Sequence, residues 1–302
     1  MKRIVGKRAL RSLPLFVLFI FGLCLIPVFS ISTFDFDESL YRRVAEEMKL
    51  NGNAFLPTWD GRPMFEKPPL FYWFIIFVSW IVDGIGERIS SVSARLTSFL
   101  LFAGSLLVLF HHAKKHFQKI PNASWVALLA LSTSIFVSVT SGAVLFDLPL
   151  CFFLVIALTK MDAFFRSFSL KKIQLSFLDS LIIGIAIAFA VATKGLIGFI
   201  LPLMALFLHS LTFRSFRVAT RIYLAFIPAF AIAALFSGVY YYGIYLGAGE
   251  EFFRVFFMIH HFGRAGQSLH GHQGFPFFTW LVFWLGGGGA VSITLHLLSQ
   301  GR

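Results

Sequence analysis

Charge is what this sequence has least of. Asp, Glu, Lys and Arg make up 13% of its 302 residues, against about a quarter in soluble domains. That excludes a soluble globular chain of this size, which could not cover itself with polar surface, and a mean hydropathy of +0.81 agrees. Cysteine is nearly absent: Cys24 and Cys151 both lie inside apolar runs, so neither a disulfide framework nor a cysteine metal cluster is available. Acids are scarcer than bases, and the net charge is +12. A nucleic-acid partner does not follow. The Lys and Arg residues fall in short clusters between apolar stretches, the pattern that orients a protein in a bilayer. No repeat recurs at a fixed period. The first apolar run, Leu13 to Phe34, is too long for a signal-peptide core and is followed by no small-residue cleavage site, so it reads as a first membrane helix.

What is present is a series of stretches near the ~20 residues that cross a bilayer. They fall at 13–33, 91–110, 121–141, 146–165, 222–242 and 277–298, and a long run at 178–210 is broken by Thr193-Lys194-Gly195 into two spans. This gives about eight crossings. The apolar piece 70–82 ends at Asp83-Gly84 after 13 residues and is expected to stay at the interface. Charge placement supports that choice. With 70–82 not crossing, the clusters 2–11, 114–119, 160–172 and 214–221, plus Arg302, share one side. That side then carries only Asp162 and Asp179 of the 14 acids. The positive-inside rule makes it cytoplasmic, with both termini. Residues 1–298 are therefore expected to form one transmembrane module with external loops at 34–90 and 243–276 and a short cytoplasmic tail at 299–302. The fold class is an all-α polytopic membrane protein. In the first loop, residues 38–50 form an amphipathic helix with Leu40, Val44 and Met48 on one face and Arg42, Arg43, Glu46, Glu47 and Lys49 on the other. It is expected to lie on the membrane surface and to stop at Asn51-Gly52.

The candidate chemistry sits on the external side. Asp35, Asp37 and Glu38 crowd the mouth of the first span; they suit a helix start and a catalytic acid or base equally. Glu66 and Lys67 precede Pro68-Pro69, which blocks helix and holds them on irregular backbone. They read as an interfacial ion pair or as part of a site. Asp147 opens a span two residues before Pro149, ordinary helix-start grammar but a costly place for a carboxylate. Lys194 interrupts an apolar run on the side where lysine is disfavoured. His260, His261 and Arg264, with His270 and His272 beyond, follow an aromatic helix at 251–259. Their spacing alone fixes no metal site.

In order, these segments read Asp37-Glu38-x-x-Tyr41, Phe65-Glu66-Lys67-Pro68-Pro69-Leu70-x-Tyr72-Trp73, Leu145-x-Asp147-x-Pro149, Thr193-Lys194-Gly195 and His261-x-x-Arg264. The set resembles the bacterial branch of the protein O-mannosyltransferase-like, GT-C membrane glycosyltransferases, and among them the aminoarabinose transferases of lipid A. The resemblance covers roughly residues 10–280. It implies a GT-C helical bundle with interfacial helices in the first external loop. The implied activity is transfer of a sugar from a polyprenyl-phosphate carrier to a lipid or protein acceptor at the periplasmic face of the bacterial inner membrane. By matching position it implies Asp37, Glu38 and Asp147 as catalytic carboxylates. Tyr41, Lys67, Lys194 and Arg264 would meet the donor phosphate, and Glu66 with His261 would bind zinc. Three positions depart from the aminoarabinose pattern: Leu40 stands for an arginine, Met64 for a tyrosine and His260 for a glutamate. These bear on which sugar is used more than on the reaction class. Family members continue through further helices, so a C-terminally shortened chain, and with it an inactive remnant, is one alternative expectation. A lipid or sugar transporter is the other, although transporters gather their ionisable residues at mid-membrane.

Overall fold

The computed structural model describes residues 14–15, 17–29, 36–120, 122–132, 140–167, 174–213 and 215–263. The expected span at 277–298 lies outside them. The chain is a polytopic membrane protein. Its helices are α1 (Val17–Phe29), α2 (Phe36–Asn51), α3 (Leu70–Val82), α4 (Ser91–His116), α5 (Ala123–Ser132), α6 (Asp147–Ser167), α7 (Phe177–Lys194), α8 (Ile197–Ser210) and α9 (Phe216–Phe252). Among the described residues, α4, α6, α7 and α9 are long and apolar enough to cross a membrane. A π-helix, Phe253–Gly263, continues from α9.

α7 lies at the centre of the bundle, packed against α6, α8 and α9, while α4 packs between α5 and α6. α6 and α7 run antiparallel and are stapled at both ends, by Asp147–Lys194 at one and Lys160–Asp179 at the other. The break expected at Thr193-Lys194-Gly195 is real. Gly195 adopts φ +80°, with ψ −152°, a conformation open only to glycine, and the chain reverses there into α8.

α3 has the expected limits. Thirteen residues reach about 20 Å, short of the ~30 Å hydrocarbon thickness. Two expectations need correction. The helix expected at 222–242 runs on through Ala248, because nothing before Gly249 breaks it; at Gly249 (φ +62°, ψ −150°) the backbone leaves the helical region and a further helical stretch continues to Phe252. The front of the expected second loop is therefore helix. Glu46 and Glu47, expected on the polar face of a surface helix, are 7% exposed. α2 does not present these two carboxylates to solvent; they pin neighbouring loops.

Glu46 accepts from the Ile89 N–H at 2.9 Å and from Arg42 at 2.8 Å, tying α2 to the entry of α4. Glu47 accepts from the Thr58 hydroxyl (2.9 Å), the Asp60 N–H (2.8 Å) and the Gly61 N–H (3.2 Å). Those residues form a hairpin of β1 (Thr58–Trp59) and β2 (Arg62–Pro63), paired Thr58 to Pro63 and Trp59 to Arg62. Asp60 and Gly61 both have positive φ (49° and 73°), the signature of a two-residue turn that favours Asp-Gly.

Burial alone would raise the Glu47 carboxyl, but the Gly61 and Asp60 N–H groups, the Thr58 hydroxyl and Arg43 outweigh it and hold the group below its ordinary value of 4.5. A carboxyl depressed on folding stabilises above its unfolded pKa and loses that contribution as pH falls through the folded value. A spin label on exposed Arg62 is therefore expected to gain mobility as pH drops below about 4.5. In Glu47→Ala it should be mobile at every pH. A label equally immobile in both proteins at neutral pH would remove Glu47 as the anchor.

Candidate functional site

The hairpin delivers the segment Met64–Pro69 against two walls. On one, Phe65 packs on Phe252 with ring centres 5.7 Å apart, close to Phe256, so the Pro-Pro loop rests on the start of the helix that carries His261. Lys67 lines a narrow cleft there with Tyr241, Ile244 and Phe252. On the other wall, Tyr41 and Tyr72 pack around Phe146, with ring centres at 4.9 and 5.3 Å from it. Phe146 leads directly into Asp147, the first residue of α6.

Tyr41 is the hub. Its hydroxyl donates to Asp37 Oδ2 at 3.4 Å, one turn back on α2. Burial first, then the negative field of Asp37, Glu66 and Asp147, pushes the Tyr41 phenol well above its ordinary value, so it remains a donor. One carboxylate, Asp37, thus touches the buried phenol, and two more from separate segments, Glu66 and Asp147, act on it through their charge. Glu66 and Asp37 also lie within electrostatic reach of Tyr72. The hydroxyls of Tyr72 and Tyr240 are buried and have no hydrogen-bond partner among the described residues. Lys194 enters from the end of α7, its Nζ 2.5 Å from Asp147 Oδ1, with the two side chains 31% and 43% exposed. An acid at the start of α6 and a base at the end of α7 suit both helix dipoles, while their exposure limits what the pair adds to stability.

The structure thus gathers Asp37, Tyr41, Glu66, Asp147 and Lys194, with Lys67 next along the chain from Glu66. Glu38 is placed differently. It is 2% exposed and paired with Arg95, which is itself fully buried in α4. Arg95 also approaches the Pro27 carbonyl at the end of α1 (3.4 Å). Sequence reasoning did not select Arg95, although a charge four residues into an apolar run was the available signal. The side chain of His261, together with Asp35, Arg264, His270 and His272, lies outside the described residues. Among the described residues no three His, Cys, Asp or Glu side chains are placed to hold a metal ion.

The family model for dolichyl-phosphate-mannose-protein mannosyltransferases matches residues 14–247, from α1 through most of α9. The chain belongs to that family. Among relatives, it is 28% identical over 276 residues to an undecaprenyl phosphate-alpha-4-amino-4-deoxy-L-arabinose arabinosyl transferase of Erwinia tasmaniensis, which covers 90% of this chain and 47% of the relative. A protein of the same description from Pseudomonas aeruginosa is 25% identical over 202 residues, covering 67% of this chain and 35% of its own length. The fold is that of ArnT from Cupriavidus metallidurans. Its structure bound to undecaprenyl phosphate superposes with a TM-score of 0.72 at 22% identity, over 90% of this chain and 48% of that one. The apo structure gives 0.73 at 21% identity, over 95% and 50%. This mannosyltransferase-family chain spans about half the length of the relatives it matches.

Proposed function

We propose that the protein is a membrane glycosyltransferase that moves a sugar from a polyprenyl-phosphate carrier to a lipid A-like or protein acceptor. The carrying observation is the contact of Asp37 with the buried Tyr41 hydroxyl, within the electrostatic reach of Glu66 and Asp147 and with Lys194 on Asp147, at one end of an apolar bundle. The bond from the anomeric carbon to the phosphate oxygen breaks as the acceptor oxygen attacks. Positive charge develops on the sugar and negative charge on the leaving phosphate. Carboxylates suit the first charge and the acceptor proton, which Asp37 takes. Asp147 holds Lys194 in place, and Lys67, Lys194 and Arg264 balance the phosphate. Tyr41 keeps Asp37 oriented. The charge asymmetry along the chain supports an inner-membrane protein with this face in the periplasm and both termini in the cytoplasm.

Purified protein in detergent, given a polyprenyl-phosphate-linked sugar and lipid A, is expected to form a covalent glycosyl product. Lys194→Gln should leave the melting midpoint nearly unchanged, since exposed pairs contribute about 0–1 kcal/mol. It should slow transfer about 10²-fold or more through lost charge stabilisation. Sugar moved across proteoliposomes without any covalent product would overturn the proposal.

Zinc is a separate proposal. An oxygen from Glu66 and an imidazole from His261 are ligands zinc accepts, and bound metal would add positive charge beside the leaving phosphate. Zinc content is expected to fall in Glu66→Ala/His261→Ala. Equal content in that protein and the wild type would sink the idea.

A further inference from the structure

A second concentration of polar groups lies at the end of the bundle opposite the carboxylates. α4 and α6 run parallel and touch closely at Gly104, where an added Cβ would come within 2.7 Å of the Phe152 ring. Past that contact the helices leave an open groove of about 510 Å³. On α4 its wall is Leu107, His111 and Lys115, spaced four residues apart, beside the row that ends in His116. Ile156 and Lys160 face them from α6 with the same spacing. The floor is apolar and the rim is cationic.

The acids at this end are already matched. Asp162 accepts from His112 at 2.8 Å and from Arg166 at 2.5 Å, and Asp179 pairs with Lys160 at 2.8 Å. Lys115 is exposed and makes no ion pair among the described residues. The His111 Nδ1–H donates to the Leu107 carbonyl at 2.8 Å, which fixes the ring against its own helix. The groove therefore offers the Lys115 ammonium, with no ion-pair partner among the described residues, over an apolar floor. Away from the rim, Leu107 and Leu100, seven residues apart on α4, are 61% and 50% exposed and continue the apolar surface into the bilayer.

We propose that this groove binds an acidic glycerophospholipid, its phosphate on the Lys115 ammonium and the His116 ring N–H and one acyl chain along Leu107 and Leu100. A free anion would satisfy the rim but not the apolar floor and the leucine track. Juxtamembrane basic residues attract acidic headgroups, and here the helices supply a cavity shaped to keep one. The site stands apart from the transfer chemistry and does not rest on it.

The test uses the whole protein in nanodiscs of phosphatidylcholine, with or without phosphatidylglycerol, followed by native mass spectrometry and thermal melting. Wild type is expected to retain phosphatidylglycerol and to melt higher in its presence. Lys115→Gln should retain about fivefold less. Ala163→Trp, which fills the groove without changing charge, should expel the lipid while still melting cooperatively in phosphatidylcholine. Equal phosphatidylglycerol retention by wild type and both variants would overturn the proposal. So would inorganic phosphate that raises the wild-type midpoint as much as the lipid does.

Discussion

Arg95→Met costs the fold about 3–5 kcal/mol, because it strands a carboxylate with its cation gone from a dry site. Arg95 is fully buried and its guanidinium is joined to Glu38, itself 3% exposed at the side chain. Without the guanidinium, the buried Glu38 charge loses its cation, and α2 loses one of its ties to α4. The expected readout is a lowered melting midpoint and a smaller folded fraction in detergent. Pairing Arg95→Met with Glu38→Leu removes both charges and is expected to recover most of the loss, since well-packed apolar replacements of buried pairs are often neutral. The double variant also separates two roles for Glu38. If it folds and transfers sugar normally, Glu38 acts by holding the helices together. If it folds and is inactive, the carboxylate takes part in the chemistry. A single Arg95→Met variant as stable as wild type would show that the pair is not a structural tie.

Asp37→Asn is expected to lower transfer by about 10²–10⁴-fold while leaving the fold intact, the range associated with losing a positioned general base. Asp37 is half-buried in the first turn of α2, so its amide replacement keeps the volume and can still accept from Tyr41. What it loses is the capacity to take a proton and to oppose positive charge on the sugar. Turnover of a lipid-linked donor under single-turnover conditions would measure the chemical step directly. Unchanged turnover would move the basic role to Glu66 or Asp147. An acceptor that is already a phosphate anion needs little help from a base, so a small effect with that acceptor and a large one with a hydroxyl would distinguish the two acceptor classes.

The features legible from sequence were those written in local grammar. Pro68-Pro69 and Asp83-Gly84 bracket α3 so tightly that its limits could be read directly. Lys194-Gly195 marks the break between α7 and α8 because only glycine takes the backbone angles found there. The acids and bases of the candidate site were selected as charges in places where a membrane protein tolerates few. What stayed hidden depended on partners far along the chain. Arg95 meets Glu38 across 57 residues. Glu46 and Glu47 look like the polar face of a surface helix until the Ile89 backbone and the Asp60-Gly61 turn fold onto them. The hairpin was not selected from sequence: Asp60-Gly61 was the available signal, but the strands are two residues long, too short for any alternation to show.

α3 has one more consequence. Its outer flank presents Phe77, Trp80 and Ile81 at 51–70% exposure, and Ile85 follows at 91%. A rod of thirteen residues, about 20 Å long, with such a flank is too short to cross the ~30 Å hydrocarbon layer. Lipids beside it must thin or tilt to meet it, at a cost of fractions of a kcal/mol per ångström of mismatch. The Pro-Pro loop at its head and the acids around Tyr41 therefore sit beside a helix too short to span. If the proposed transfer holds, a carrier lipid arriving sideways would meet a thinner bilayer there, and membrane thickness would become a variable in the reaction.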